Sequence, residues 1–283
     1  MGDSLAAEGA TPVLRRILVS ADDFGLSPAV DRGILEASRR GVVHETAFMT
    51  GFPEAAEAVA RLRAAPGLAV GIHLDLTAGR PLLPARTVPS LVDAAGRFHR
   101  LPTLLLRAAA GRVRPDEVRR EWRAQLERGL GLGLSVASLS SHRHVHMLPG
   151  LFEVALSLAA EHGIPRVRRS RFAAGLRRLA LSPFARRAAG MLRAAGLPED
   201  GWLLDFGGAN ARDRLARLTR RLGRLPPGRY ELVTHPGYLD ATLAERDGYL
   251  AGRLSELEAM LDPRFRSLLG PATVPARPVG TAP

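Results

Sequence analysis

There is no cysteine in this sequence. That excludes disulfide frameworks, iron–sulfur clusters, cysteine-ligated zinc and thiol nucleophiles, and it suits a reducing compartment. Lysine is missing as well, so all 40 basic residues are arginine. A Walker A loop needs a lysine on its phosphates and a Schiff-base enzyme needs a lysine amine, so both classes drop out. No G-x-S-x-G elbow, H-E-x-x-H pair or G-x-G-x-x-G loop is present. Aromatic residues are scarce, at 5 %, and the arginines are spread along the chain. The net charge of +12 therefore reads as a coding bias toward arginine, not as a nucleic-acid surface, which interleaves cations with aromatic platforms. Residues 1–12 carry Asp3 and Glu8 and no long apolar run, unlike a secretory signal. No stretch approaches the ~20 apolar residues of a membrane-spanning helix, and the expectation is a cytoplasmic protein.

What remains is a globular composition, 46 % apolar and 24 % charged, in a chain long enough to bury a core without staples. The Pro-rich ends, residues 1–12 and 271–283, are expected to be disordered. Between them short apolar runs alternate with helical patterns. Ile17–Ala21, Leu68–Ile72, Val136–Ser140 and Tyr230–Thr234 read as strands, and Pro165–Arg168 as a short one. Helices are expected over Pro28–Arg40, with Ser27 as N-cap and Gly41 as stop, and over Glu54–Ala65, Asp116–Arg128, Leu151–His162 and Ala241–Leu261. Strands alternating with helices imply parallel βα units and an α/β fold in one domain over residues 13–270. Two segments break the rhythm. Pro81–Leu106 is long and Pro-punctuated, as a functional loop would be. Ser170–Leu197 reads as one or two amphipathic helices, within a helical insertion or lid over residues 170–210. Its arginines make a solvated helix face the first expectation and a membrane-surface helix a second.

The chemistry gathers at the strand ends. The first strand runs into Asp22-Asp23, the second into His73, the third into His142-Arg143-His144-Val145-His146, and the last into His235-Pro236-Gly237. In parallel α/β proteins these ends form one active face, and five of the 8 histidines lie there. Singly, each piece has a plain explanation. Asp22-Asp23 could be an Asx turn or a helix cap, His73 a packed histidine, and His235 a turn residue. Together they are poorly explained by packing. Adjacent carboxylates repel and call for a cation or a proton. In an extended segment His142, His144 and His146 all face one side and favour a metal, an anion or a hydrogen-bond network. The synthesis is one divalent ion held by a carboxylate and two imidazoles, a mixed set that suits zinc, cobalt, nickel or manganese better than magnesium. The spare carboxylate would serve as base and a free histidine as acid, an apparatus for hydrolysing an amide or ester.

Four motifs carry a resemblance: S-A-D-D-F-G-L-S (Ser20–Ser27), V-G-I-H-L-D-L-T (Val70–Thr77), S-H-R-H-V-H-M-L-P (Ser141–Pro149) and E-L-V-T-H-P-G-Y (Glu231–Tyr238). In this order they resemble the YdjC-like carbohydrate deacetylases, a group that includes chitooligosaccharide deacetylases and hopanoid-biosynthesis-associated deacetylases. The resemblance implies a (β/α) barrel-type fold, irregular against an eightfold barrel. It implies Asp23, His73 and His142 as ligands of one divalent ion, magnesium or zinc. It implies Asp22 as the base activating metal-bound water and His235 as the acid that protonates the leaving amine. The substrate would be an N-acetylated sugar, as oligosaccharide, glycolipid or glycosylated metabolite, and the chain a homodimer. His142 is chosen over His144 and His146 by its place in the motif. One position departs: the family carries an aspartate two residues before the first histidine of the third motif, and here that residue is Ser140. This loss is the argument for the alternative, a non-catalytic sugar-binding protein on the same scaffold.

Overall fold

The computed structural model describes residues 15–172, 176–199 and 201–269. The two Pro-rich ends lie outside the described residues. Six parallel strands form one sheet in the order β4-β3-β2-β1-β6-β5: β1 Arg16–Phe24, β2 Glu45–Phe48, β3 Ala69–Leu74, β4 Val136–Ser141, β5 Trp202–Asp205 and β6 Arg229–Thr234. The sheet curls, and the segment from Arg166 to Phe172 spans the opening between its edges. Val167 bridges Leu139 on β4 and Phe172 bridges Leu203 on β5, both in parallel sense. The amide of Arg168 donates to the Leu139 carbonyl (2.8 Å) and that of Leu203 to the Arg171 carbonyl (2.8 Å). The expected short strand over Pro165–Arg168 thus occupies the closing stave of an irregular barrel, pinned at two points and not along its length.

Ten helices are seen among the described residues: α1 Pro28–Arg39, α2 Ala55–Leu62, α3 Leu101–Ala109, α4 Pro115–Gly131, α5 Leu151–Glu161, α6 Leu176–Ala194, α7 Ala211–Leu222, α8 Ala241–Arg246, α9 Ala251–Leu261 and α10 Pro263–Leu269. The α1 boundaries follow from its sequence. Ser27 Oγ accepts from the Val30 amide (3.3 Å), Pro28 opens the first turn, and Gly41, at φ 70°, ends it. The expected single helix over Ala241–Leu261 is broken. Asp247 leaves the helical conformation after α8, and a short connection carries Asp247 and Tyr249 to the barrel mouth before α9 begins. The Pro81–Leu106 loop is tethered by α4: Glu121 accepts from the amides of Leu82 and Leu83, and Glu117 from that of Ser90. Its last residues start α3, whose Leu101 reaches the barrel mouth. In the Arg-rich insertion, α6 lays Ala185, Ala188 and Leu192 against the second apolar core, while Leu179 is 74 % exposed. No helix among the described residues is long and apolar enough to cross a membrane.

Residues alternate along each strand. Ile17, Val19 and Ala21 face the core shared with α1, α2, α7 and α9, and Ile72, Leu74 and Leu139 face the core shared with α4, α5 and α6. The inward positions are polar. Ser20 Oγ donates to Glu231 (2.8 Å), Ser138 Oγ to Glu45 (2.6 Å), and Arg166 reaches both Glu45 and Glu231. Gly71 is required beside this layer, since a Cβ there would lie 2.3 Å from Ser138 Oγ. A charged barrel interior is tolerable only when each ion is paired; the pairing is continuous from this layer up to Asp22.

Candidate active site and metal centre

The four strand ends meet. β1 ends in an irregularity: its register with β2 steps from Ala21–Thr46 to Phe24–Phe48, three residues against two. This is a bulge, and within it Asp23 takes a left-handed backbone, φ 72°. In a regular strand Asp22 and Asp23 would point to opposite faces. The bulge turns both carboxylates into the mouth. Left-handed backbone at a non-glycine residue is strained, and here it serves that placement.

Asp23, His73 and His142 each offer a ligand atom, and these atoms lie within 4.8 Å of one another. His142 Nδ1 stands 2.8 Å from Asp23 Oδ1, and His73 Nε2 is 3.3 Å from the same oxygen. All three side chains are buried. His73 Nδ1 is 2.7 Å from Ser140 Oγ, across the β3–β4 register pair that joins these two residues. One carboxylate and two imidazoles, brought together at the ends of β1, β3 and β4, match the donor set of a divalent-ion site. His142 Nε2 is buried with no hydrogen-bond partner among the described residues. The residues present fit such an ion.

The expectation of an extended third motif is corrected. Residues 142–147 form a tight 3-10 segment, with left-handed Arg143 and His144 inside it. Only His142 enters the ligand cluster. His144 turns to Ser170 Oγ (2.9 Å) and packs edge-on against Phe172. His146 is locked behind the site by Ser141 Oγ (2.5 Å) and the Arg168 carbonyl (2.7 Å). Burial pushes the His146 imidazole down to about 3.

Each aspartate has its own arginine. Arg168, on the closing stave, grips Asp22 with a two-nitrogen fork (2.6 and 2.8 Å) and bonds Glu231 through Nε (2.9 Å). Burial would raise the Asp22 pKa, but the Arg168 charge and hydrogen bonds, with the His73 charge, together outweigh it and hold the carboxyl well below the usual range. Arg253, on α9, donates from Nη2 to Asp23 Oδ2 (2.6 Å) and to Asp247 Oδ2 (2.5 Å). Asp23 is likewise held low against its burial, chiefly by His142 and Arg253. Burial lowers the His142 pKa and Asp23 raises it, and the net shift is upward. His235 follows β6. Its amide donates to Glu256 Oε2 (2.5 Å), and its ring stands edge-on to Tyr249 at 6.0 Å between centroids. The Tyr249 hydroxyl donates to Glu256 Oε1 (2.7 Å), and burial, reinforced by that carboxylate, pushes the phenol up to about 12. All five expected residues line one cavity of about 640 Å³, whose walls include Leu101, Phe172, Leu181 and Phe206.

Sequence reasoning missed Arg168, Arg253, Asp247, Tyr249 and Glu256. One signal was present for the first. Arg168 sits in a segment read as a strand, where a buried arginine requires acidic partners, and two adjacent carboxylates were waiting for one.

Comparison with known proteins places the chain as a whole beside a family of matching length. The family model described as YdjC-like protein matches residues 16–270. A carbohydrate deacetylase of Geobacillus stearothermophilus is 37 % identical over 251 residues, covering 88 % of this chain and 90 % of the relative. A chitooligosaccharide deacetylase of Serratia marcescens is 33 % identical over 257 residues, covering 89 % and 93 %. A solved structure from Enterococcus faecalis V583, named for cellobiose-phosphate cleavage, superposes with a TM-score of 0.77 at 28 % identity, covering 90 % of this chain and 94 % of the other.

Proposed function

Since the chain belongs to the YdjC-like family, we propose that it is a metal-dependent hydrolase that removes the acetyl group from an N-acetylated carbohydrate. The observation that carries this reading is the convergence of Asp23, His73 and His142 from the ends of three strands, with Asp22 beside them. A divalent ion, magnesium or zinc, held by these three residues would supply Lewis acidity toward the acetyl carbonyl and acidify water.

The remaining work falls to the chain. Asp22, kept ionised by Arg168, takes a proton from the attacking water as its oxygen bonds to the acetyl carbon. His235 gives a proton to the sugar nitrogen as the carbon–nitrogen bond breaks, so that acetate and a free amine leave. Ser140 fixes the His73 ring: Nδ1–H donates to its hydroxyl, which leaves Nε2 unprotonated and facing Asp23. The cavity of about 640 Å³ has room for a sugar unit beside these groups.

The test offers mono- and oligomeric N-acetyl sugars to the chain loaded with zinc or magnesium and detects the deacetylated product by mass spectrometry. Asp22→Asn should keep the ion and lose turnover; His73→Ala should lose both. Failure to retain zinc, magnesium, cobalt or manganese, with no acetate released from any acetylated sugar, would sink the reading. An ion retained without turnover over a broad sugar panel would point to a binding protein on this scaffold.

A further inference from the structure

Arg253 does more than hold two carboxylates. Its side chain is 1 % exposed, and it lines the cavity that holds the ligand cluster. Arginines that hold a carboxylate frequently do so through two nitrogens, as Arg168 does with Asp22. Arg253 makes both of its ion pairs through Nη2 alone. Nε and Nη1 are buried and have no hydrogen-bond partner among the described residues. Buried donors left unmade are costly and uncommon in native proteins. The carboxylates it touches have other partners: Asp23 also meets His142 and His73, and Asp247 also meets Arg143. The surplus N–H groups lie on the guanidinium whose Nη2 is 2.6 Å from Asp23 Oδ2, the oxygen turned away from His142.

We infer that Arg253 is a catalytic residue forming a subsite for the acetyl oxygen. The inference rests on the deacetylase reading. Its free N–H groups donate to the carbonyl oxygen as negative charge grows there during attack by water, and afterwards to one oxygen of the acetate product. No atom is transferred to or from Arg253; it supplies charge and hydrogen bonds only. Acetate is therefore expected to bind the zinc-loaded chain and to inhibit it competitively.

The experiment measures acetate binding to the zinc-loaded full chain by calorimetry or by line broadening of carbon-labelled acetate, with bound zinc quantified in the same samples. Arg253→Gln should keep zinc and bind acetate about tenfold more weakly or worse, the loss expected for a hydrogen bond to a charged group. On an acetyl sugar its kcat should fall more than its KM rises. Should the glutamine variant lose zinc or fail to fold, Arg253→Lys decides. The lysine ammonium can replace the Nη2 contacts to Asp23 and Asp247 but has no second nitrogen, so zinc should stay and acetate should weaken. Acetate affinity unchanged in the zinc-bearing variant overturns the inference and leaves Arg253 as a strut. The two readings separate cleanly. Residue-253-dependent acetate binding without any sugar turnover refutes the deacetylase reading and keeps the anion subsite. Turnover with acetate binding indifferent to residue 253 does the reverse.

Discussion

His146 offers the sharpest test of the polar interior, because its protonation is dictated from both sides. Nε2 faces the Arg168 carbonyl at 2.7 Å, and a carbonyl can only accept, so Nε2 carries the proton. Nδ1 must then accept from Ser141 Oγ, 2.5 Å away, whose own lone pair already takes the His146 amide at 2.9 Å. A second proton on the ring would oppose that hydroxyl and add charge to a fully buried site beside the Arg168 cation. The pKa of about 3 against an ordinary 6.5 expresses this. Between those values the unfolded chain binds a proton that the folded chain refuses, so stability falls as pH drops below 6.5 and continues to fall to about 3. The slope from this residue is about 1.4 kcal/mol per pH unit, on the order of 5 kcal/mol across the window. The assay is urea unfolding of the chelator-treated chain from pH 8 to pH 4, wild type against His146→Asn, which cancels every other titrating group. The variant should start less stable at pH 8 and its deficit should shrink at that slope below pH 6.5. Two curves that stay parallel from pH 7 to pH 4 would refute the reasoning, since His146 would then be free to protonate in the folded state.

Two further outcomes follow from single contacts. Ser140→Ala removes the partner of His73 Nδ1, and zinc affinity measured by competition with a chelating dye should fall by roughly 10–100-fold; Ser140→Asp should move it the other way, and equal affinities in all three proteins would show that the hydroxyl does not orient the ring. Gly33→Ala places a Cβ 2.7 Å from Gly237 Cα, in the turn that carries His235; overpacking should cost about 1–3 kcal/mol of stability and lower kcat while zinc affinity holds, whereas full activity with unchanged stability would mean that α1 does not set this turn.

The strand ends were legible because each is an apolar run closed by an ionisable residue, and β1, β3, β4 and β6 stand where periodicity puts them. The two strands that were missed have physical reasons. β2 is four residues long and begins with Glu45, whose carboxylate is buried against Ser138 and Arg166 inside the barrel; no local pattern marks a strand that spends its polar residue inward. β5, also four residues, follows an Arg-rich helix and shows its apolar pair Leu203-Leu204 only once Phe172 and β6 flank it. Helix α7 escaped notice although Asn210 caps it by accepting from the Asp213 amide. At the site, the motifs singled out Asp23, His73 and His142, whose candidate ligand atoms the fold brings within 4.8 Å of one another, yet spacing could not choose among His142, His144 and His146. That choice is made by the left-handed pair Arg143-His144, which coils the segment away from the extended form that alternation assumes. The cations facing the aspartates were out of reach for another reason. Arg168 and Arg253 stand 146 and 230 residues from the carboxylates they hold, and only barrel closure brings them there.

Those two arginines also give neighbouring, chemically identical aspartates different surroundings, as the proposed function requires of them. Written as a sequence, Asp22-Asp23 is symmetric, and mutual repulsion would leave one of the pair protonated. The bulge sends both inward, and the guanidinium groups then break the symmetry. The Arg168 fork occupies both oxygens of Asp22, each from one side, and so fixes that carboxylate in place while leaving a lone pair on each oxygen. Arg253 touches only Oδ2 of Asp23, so Oδ1 stays turned to His73 and His142, where a cation would sit. The proposed function assigns Asp22 as a stationary proton acceptor and Asp23 as a ligand, and this asymmetry supports that division. The arrangement has a chemical consequence. A carboxylate held as low as Asp22 is a weak base, effective only toward a water that is already acidified. It must therefore stand next to the ligand cluster, and its Oδ2 does, 3.8 Å from His73 Nε2.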